Sequence, residues 1–301
     1  MKNVLIIGYG SIGKVHAKVL SELKFIKKIY ILTSQRITKY STISKISQIK
    51  EINPFYIVMA NETSLHYEQF LYLNKNFANI KILIEKPIFH KYYKLNTSIN
   101  NQVYVGYNLR FHPIILFLKK LLQNKKILSV NIFCGSYLPN WRKNRNYEDT
   151  SSAKKIKGGG VLLDLSHEMD YVLLLFGKIN NFFAINKKIS KLKIDSDDFL
   201  NFIGITQTKV QINLSLNYFS LINRRKIIID CDNMHIIVDL INNKINYYKN
   251  KKIISKKFNK LNKYYTYKKM HYDYLMNKTN NLCSINEALL TMKLIEKIKS
   301  K

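Results

Sequence analysis

The first hundred or so residues alternate short, unbroken apolar runs with amphipathic stretches. Val4-Leu5-Ile6-Ile7 is apolar throughout, the pattern of a parallel strand covered on both faces. A helical stretch from Gly13 to Leu23 follows, then strand Ile29–Leu32, a polar helical stretch, and strand Phe55–Met59. A helix near Leu65 to Leu73 leads to strand Lys81–Ile84, and a strand from Gln102 to Tyr107 closes the series. Strands separated by crossover helices predict a right-handed, doubly wound parallel sheet over residues 1–112.

Beyond that boundary the pattern changes, and residues 113–301 are read as a second α/β domain. A helix over Pro113–Leu122 precedes a strand over Ile127–Phe133 and a long polar segment, Gly135 to Lys157. A Leu-rich stretch from Val161 to Phe176 reads as one mostly buried helix. Residues 182–255 carry period-two strands such as Val210 to Leu216, which predict an open antiparallel sheet. A last helix spans Asn286–Ile298, and the Lys-rich piece Lys251–Lys269 reads as solvated surface.

Gly8-Tyr9-Gly10-Ser11-Ile12-Gly13 is a GxGxxG run placed directly between a strand and a helix. In that context each glycine has a task. Gly8 makes the tight turn, Gly10 admits a pyrophosphate, and Gly13 lets helix and strand approach. The diphosphate would rest on the helix N-terminus beside Ser11 and Ile12. The overlapping GxxxxGK has Val15 where a Walker loop has Ser or Thr, which excludes that reading. An NAD site calls for an acid at the end of the second strand. The strand here runs into Thr33-Ser34-Gln35-Arg36, and a hydroxyl at Ser34 with a guanidinium at Arg36 favours NADP over NAD.

Composition adds one unusual number. The chain has 301 residues, of which 50 are Lys or Arg and 19 Asp or Glu, for a net charge of +31. Only six of the basic residues are Arg, and the lysines are spread over the whole length. Dedicated phosphate readers concentrate charge and favour Arg. The expectation is therefore a background composition with generic polyanion affinity at low salt and no specific nucleic-acid partner. Three separated cysteines, Cys134, Cys231 and Cys283, form neither a disulfide framework nor a CxxC metal pair. No cluster of metal-ligand spacing is visible. No apolar run reaches the roughly 20 residues of a membrane span, so a cytoplasmic protein is expected.

Taken together the motifs resemble the glucose–fructose oxidoreductase, inositol dehydrogenase and rhizopine-catabolism superfamily. The matching residues are the glycine run with His16, then Asn61-Glu62-Thr63-Ser64-Leu65-His66, Glu85-Lys86-Pro87 and Tyr107-Asn108-Leu109-Arg110-Phe111. Gly158-Gly159-Gly160 ahead of Asp164, His167 and Asp170, and the Asn286-Glu287-Ala288-Leu289 helix, complete the match. The resemblance implies an N-terminal Rossmann domain, a C-terminal domain whose open sheet pairs between subunits, and hydride transfer at a sugar carbon. It places Asn61, Thr63, His66, Glu85 and Lys86 at the cofactor, and a cis bond between Lys86 and Pro87. The stretch Gly158 to Tyr171 is similar to relatives that act on surface-glycan precursors, which points to a nucleotide-linked sugar.

Lys86 follows a strand end, where open α/β sheets bind ligands. An ammonium there would stabilise negative charge on a substrate oxygen. Asp164, His167, Glu168 and Tyr171 share one face of a regular helix. The family spacing is Asp-x-x-x-His, whereas here position 168 is Glu and His167 comes one residue early. His167 is favoured as acid/base because imidazole titrates near neutrality, with Asp164 orienting it. Tyr107, Asn108 and Arg110, together with Trp141 and Arg142, are the expected substrate contacts. Tyr264 and Lys268 match the short-chain dehydrogenase pair by chance. Two other classes remain open: a non-catalytic dinucleotide sensor and a charge-driven nucleic-acid binder.

Overall fold

The computed structural model describes residues 2–142, 145–258 and 261–300. In chain order its elements begin with β1 (Lys2–Ile7), α1 (Ser11–Ser21), β2 (Ile26–Leu32), β3 (Ser41–Ile43), α2 (Ile49–Ile52) and β4 (Tyr56–Met59). They continue with α3 (His66–Asn76), β5 (Lys81–Ile84), β6 (Gln102–Val105), α4 (Pro113–Leu121), β7 (Ile127–Gly135), α5 (Val161–Asp164) and α6 (Ser166–Phe176). Then come β8 (Ile179–Lys187), β9 (Phe199–Thr206), β10 (Gln211–Asn217), β11 (Arg224–Cys231), β12 (Met234–Asp239), β13 (Lys244–Lys249) and β14 (Lys252–Lys257). The chain ends with α7 (Tyr265–Leu275), β15 (Cys283–Ser284) and α8 (Ile285–Lys299).

Two compact units result. The first comprises residues up to Phe111 together with Lys263–Met292, and the second His112–Asn262 with the residues from Lys293 on. The chain thus leaves the first unit near residue 112 but later returns to it, so the residues after that point do not form one domain as the sequence reading expected. The reason is α7, whose Met270 and Tyr274 are fully buried among Val4, Ile6, Leu20, Tyr56 and Val58 of the first unit. The Lys-rich piece expected to be surface likewise divides. Its first part is the exposed strand β14, and its end opens a core helix; Asn259 and Lys260 lie outside the described residues.

The first unit's sheet runs β15-β6-β5-β4-β1-β2-β3, parallel except for β15. Burial of every residue from Val4 to Ile7 and from Tyr56 to Met59 explains the unbroken apolar runs. In α1 the buried residues Gly13, His16, Ala17 and Leu20 fall at i, i+3, i+4 and i+7, one face of a helix.

The second unit is built on an eight-stranded sheet, β14-β13-β12-β11-β7-β10-β9-β8. It is mostly antiparallel as expected, but β7 and β10 pair in parallel. The chain returns to β7 by a crossover through α5 and α6, the connection parallel strands require. The expected helix over Val161–Phe176 is two helices. Leu165, at φ −97° and ψ 28°, interrupts it in the bridge region between helical and extended backbone.

Candidate active site

In the first unit the glycine run forms the turn its sequence predicted. Gly8 has φ +93°, and a Cβ there would stand 2.7 Å from the Asn61 backbone. A Cβ on Gly13 would stand 2.2 Å from the Gly8 carbonyl oxygen, so only glycine lets α1 pack this close to β1. Gly10 differs: a Cβ there would meet nothing within 4 Å. It is the N-cap of α1, with no side-chain cap and no acid in the first turn. The free N–H groups and positive helix end therefore face open space, the arrangement that receives a diphosphate. These residues fit a dinucleotide.

Around this turn the expected cofactor residues are held by the fold. The Asn61 amide donates to Gln69 Oε1 at 3.0 Å. Thr63 lies in the single turn before α3, and His66 is the first residue of α3. His66 is buried with Nδ1 3.1 Å from the Ile88 carbonyl, and burial lowers its pKa. Ser34 and Arg36 are exposed in the loop after β2. Glu85 and Lys86 follow β5, and the Lys86–Pro87 bond is cis, as the resemblance implied. The Lys86 N–H donates to Glu85 Oε2 at 3.2 Å.

The residues after β6 are buried and hydrogen-bonded within the first unit. Tyr107 is buried, and Asn108 donates to Thr266 Oγ1 at 2.7 Å. Arg110 is 3% exposed; its Nη1 donates to Glu287 Oε1 at 2.8 Å and to the Leu282 carbonyl at 3.3 Å. Sequence reading placed Arg110 at substrate. The structure shows it tying the turn after β6 to the C-terminal helix of the same unit.

In the second unit Asp164, His167 and Glu168 take distinct settings. Asp164, half-buried at the end of α5, accepts from the Tyr218 hydroxyl at 2.6 Å. Trp141 packs edge-on against Tyr218 at 5.1 Å and donates from Nε1 to Ser136 Oγ at 2.8 Å. Trp141, Arg142, Arg145 and Tyr147 line one cleft. Burial lowers the Arg142 pKa, with the Asp164 carboxylate acting against that fall and Arg145 adding to it.

Because the helix breaks at Leu165, the face shared by Asp164, His167, Glu168 and Tyr171 does not run across it. Glu168 and Tyr171 point into the core instead: Glu168 is 0% exposed and Arg225 Nε lies 2.8 Å from its Oε1. The same guanidinium donates to Cys134 Sγ at 3.3 Å. Burial, reinforced by Glu168, pushes the Cys134 thiol up to about 12. His167 is itself buried in the first turn of α6.

Three residues that shape this region had no sequence signal. Arg225 and Tyr218 lie more than 50 positions from their partners. Asp197 accepts from the Leu162 N–H at 3.0 Å and caps α5. Gly160, at φ +115°, makes room for that carboxylate: a Cβ would stand 2.2 Å from Asp197 Oδ1. The glycine triplet is thus a support for α5.

No protein-family model matches the sequence, and no curated protein does. Solved structures do. Levoglucosan dehydrogenase in complex with NADH and L-sorbose superposes with a TM-score of 0.85 at 15% identity, over 100% of this chain and 96% of that one. The WlbA dehydrogenase of Bordetella pertussis, in complex with NADH and UDP-GlcNAcA, gives 0.79 at 15% identity over 99% and 95%. UDP-N-acetylglucosamine 3-dehydrogenase GnnA of Acidithiobacillus ferrooxidans gives 0.79 at 15% over 99% and 97%.

The chain has their fold. The fold expected from the sequence resemblance, a doubly wound parallel sheet followed by an open, mostly antiparallel one, is the fold observed. No helix among the described residues is long and apolar enough to cross a membrane.

Proposed function

We propose that this chain is a nicotinamide-dependent oxidoreductase acting on a CH–OH group of a sugar, with a nucleotide-linked or acidic sugar as the favoured class. The observation that carries the reading is the glycine turn, where the two clashing glycines fold the turn and the third leaves open space at a helix N-terminus. The shared fold with dehydrogenases crystallised with NADH supports it. When bound, the nicotinamide supplies the hydride acceptor or donor.

The chain's own residues divide the remaining work. The Lys86 ammonium stabilises negative charge on the substrate oxygen. His167 takes and returns the hydroxyl proton, while Asp164, braced by Tyr218, orients the substrate. Glu168 is a poor proton carrier because it is buried in the core and engaged by Arg225 at 2.8 Å. Trp141 offers a face to the sugar ring and Arg142 a cation to an anionic group. Ser34 and Arg36 favour NADP. The reading includes pairing of two copies through the eight-stranded sheet. One row across its outer face carries Phe183, 64% exposed, and Ile203, 56% exposed, as cross-strand partners.

Titration with NADH and NADPH, followed by absorbance at the reduced nicotinamide over a panel of free and nucleotide-linked sugars, tests the reading. Binding with turnover of one sugar is the expected result. Binding without turnover of any would favour a dinucleotide sensor, and no binding would overturn both.

A further inference from the structure

Behind Lys86, a continuous line of four buried polar side chains runs through the first unit. Glu85 Oε1 lies 3.0 Å from His16 Nε2. His16 Nδ1 lies 2.7 Å from His271 Nε2. His271 Nδ1 lies 2.8 Å from the Tyr56 hydroxyl. His16, His271 and Tyr56 are fully buried, and Glu85 nearly so. The four come from α1, α7, β4 and the end of β5, so no local motif accounts for their meeting.

For a carboxylate at Glu85 and neutral imidazoles at His16 and His271, proton counting gives this line one direction. A carboxylate offers only acceptors, and a neutral imidazole has one donor and one acceptor nitrogen. Glu85 therefore takes the proton on His16 Nε2. His16 Nδ1 is then an acceptor and must receive from His271 Nε2–H. His271 Nδ1 in turn must receive from the Tyr56 hydroxyl. Three bonds use three protons. The other Glu85 oxygen, Oε2, takes the Lys86 N–H. Gly106 is the reason the carboxylate fits at all: a Cβ there would stand 2.5 Å from Oε1.

We propose that His16, His271 and Tyr56 are positioning residues, a one-way hydrogen-bond chain that locks Glu85 and, through its second oxygen, the peptide of Lys86. The proposal rests on the reading of Lys86 as the charge-stabilising group. Burial favours the neutral forms of His271 and Tyr56. Burial, then the nearby His16, holds the His271 pKa well below its ordinary value. Burial raises Tyr56 and Tyr267, whose ring packs edge-on to His16 at 5.4 Å. Tyr274 on α7 is raised the same way, and His66 on α3 is lowered.

The direction makes an unusual demand on Glu85→Gln. The Lys86 N–H is a fixed donor, so the carbonyl oxygen of the substituted side chain must face it, and the amide NH2 must face His16. His16 then accepts at Nε2 and carries its proton on Nδ1, and His271 must do the same toward the Tyr56 oxygen. One substitution thus reverses both tautomers, the second of them two hydrogen bonds away.

Nitrogen–proton correlation spectra of histidine-labelled whole protein read this directly. In the wild type, His16 and His271 should both show an Nε2–H signal and a bare Nδ1, and that of His271 should not change between about pH 5.5 and 8.5, a span that brackets the ordinary imidazole value. In Glu85→Gln both signals should move to Nδ1–H. His16→Ala should shift the Lys86 backbone amide resonance while leaving that of Lys226, in the other unit, in place. An Nδ1–H tautomer for either wild-type histidine, or a titration of His271 near pH 6.5, overturns the proposal, whatever the variants do. So does a folded Glu85→Gln with unmoved tautomers, or an unmoved Lys86 amide in folded His16→Ala. Cofactor titration of the same samples separates the two readings: a wild type that binds neither NADH nor NADPH would remove the dehydrogenase reading while leaving the tautomer assignment intact.

Discussion

Arg225 on β11 meets Glu168 on α6 at 2.8 Å, and the acid has no solvent-exposed surface. Removing one partner leaves the other charged and buried, which costs about 3–5 kcal/mol, whereas removing both is far milder. Glu168→Met and Arg225→Met should each lower stability by that amount in urea unfolding, and the double variant should recover most of it. Additive losses would show that the pair is not coupled.

The same pair separates the roles of two adjacent residues. Within α6, His167 and Glu168 point about 100° apart. His167→Asn should lower kcat by about 10²-fold, the size of a lost acid/base, with NADPH affinity unchanged. Glu168→Gln should instead lower Tm and leave turnover of the folded protein within a few-fold. A reversed pattern would make Glu168 the proton carrier.

Gly10 and Gly13 should respond oppositely to a methyl group. In Gly13→Ala the new Cβ strikes the Gly8 carbonyl at 2.2 Å, so both Tm and dinucleotide binding should fall. In Gly10→Ala the Cβ meets no protein atom within 4 Å, so Tm should hold while NADH and NADPH bind at least tenfold more weakly. Unaltered binding in Gly10→Ala would place the diphosphate elsewhere.

Arg36 is an exposed cation in the loop after β2, suited to a ribose 2′-phosphate. Arg36→Ala should weaken NADPH about tenfold and leave NADH alone. Fluorescence titration checks this, and tighter NADH binding by the wild type would end the NADP preference.

Burial lowers the pKa of three histidines in the folded state: His66, His112 and His271. Each is neutral when folded and gains a proton on unfolding below its ordinary pKa of about 6.5. Their contribution is therefore fully present above pH 6.5 and is lost as pH falls toward the lowered folded values. The slope is at most about 1.4 kcal/mol per pH unit for each histidine. Denaturant melts from pH 7.5 to 5 should show the decline begin near 6.5, with a smaller slope in His112→Gln.

Which features were legible in the sequence follows from how local their causes are. The glycine turn, the unbroken apolar strands and the change of character near residue 112 each rest on neighbouring residues. The break at Leu165 does not. Its surroundings are leucines with high helix propensity, and the interruption accompanies an Asp197 cap that arrives from more than 30 positions away. The Arg110 ion pair was invisible for the same reason: Glu287 is brought beside that guanidinium from more than 170 positions away. His271 looked featureless because both its hydrogen-bond partners lie over 200 residues upstream.

The return of α7 to the first sheet also sets a schedule for synthesis. His16, Tyr56 and Glu85 leave the ribosome early, yet the residue that joins them follows an insertion of roughly 150 residues. At 5–20 residues per second, the N-terminal sheet waits about 10–30 s for its last core helix. During that interval its Met270 and Tyr274 sites stand open and β6 has a bare edge, the kind of surface that recruits a chaperone. The intervening unit is contiguous from His112 to Asn262 and meets no such delay within that span. The nascent chain should therefore complete most of its middle before it completes its beginning.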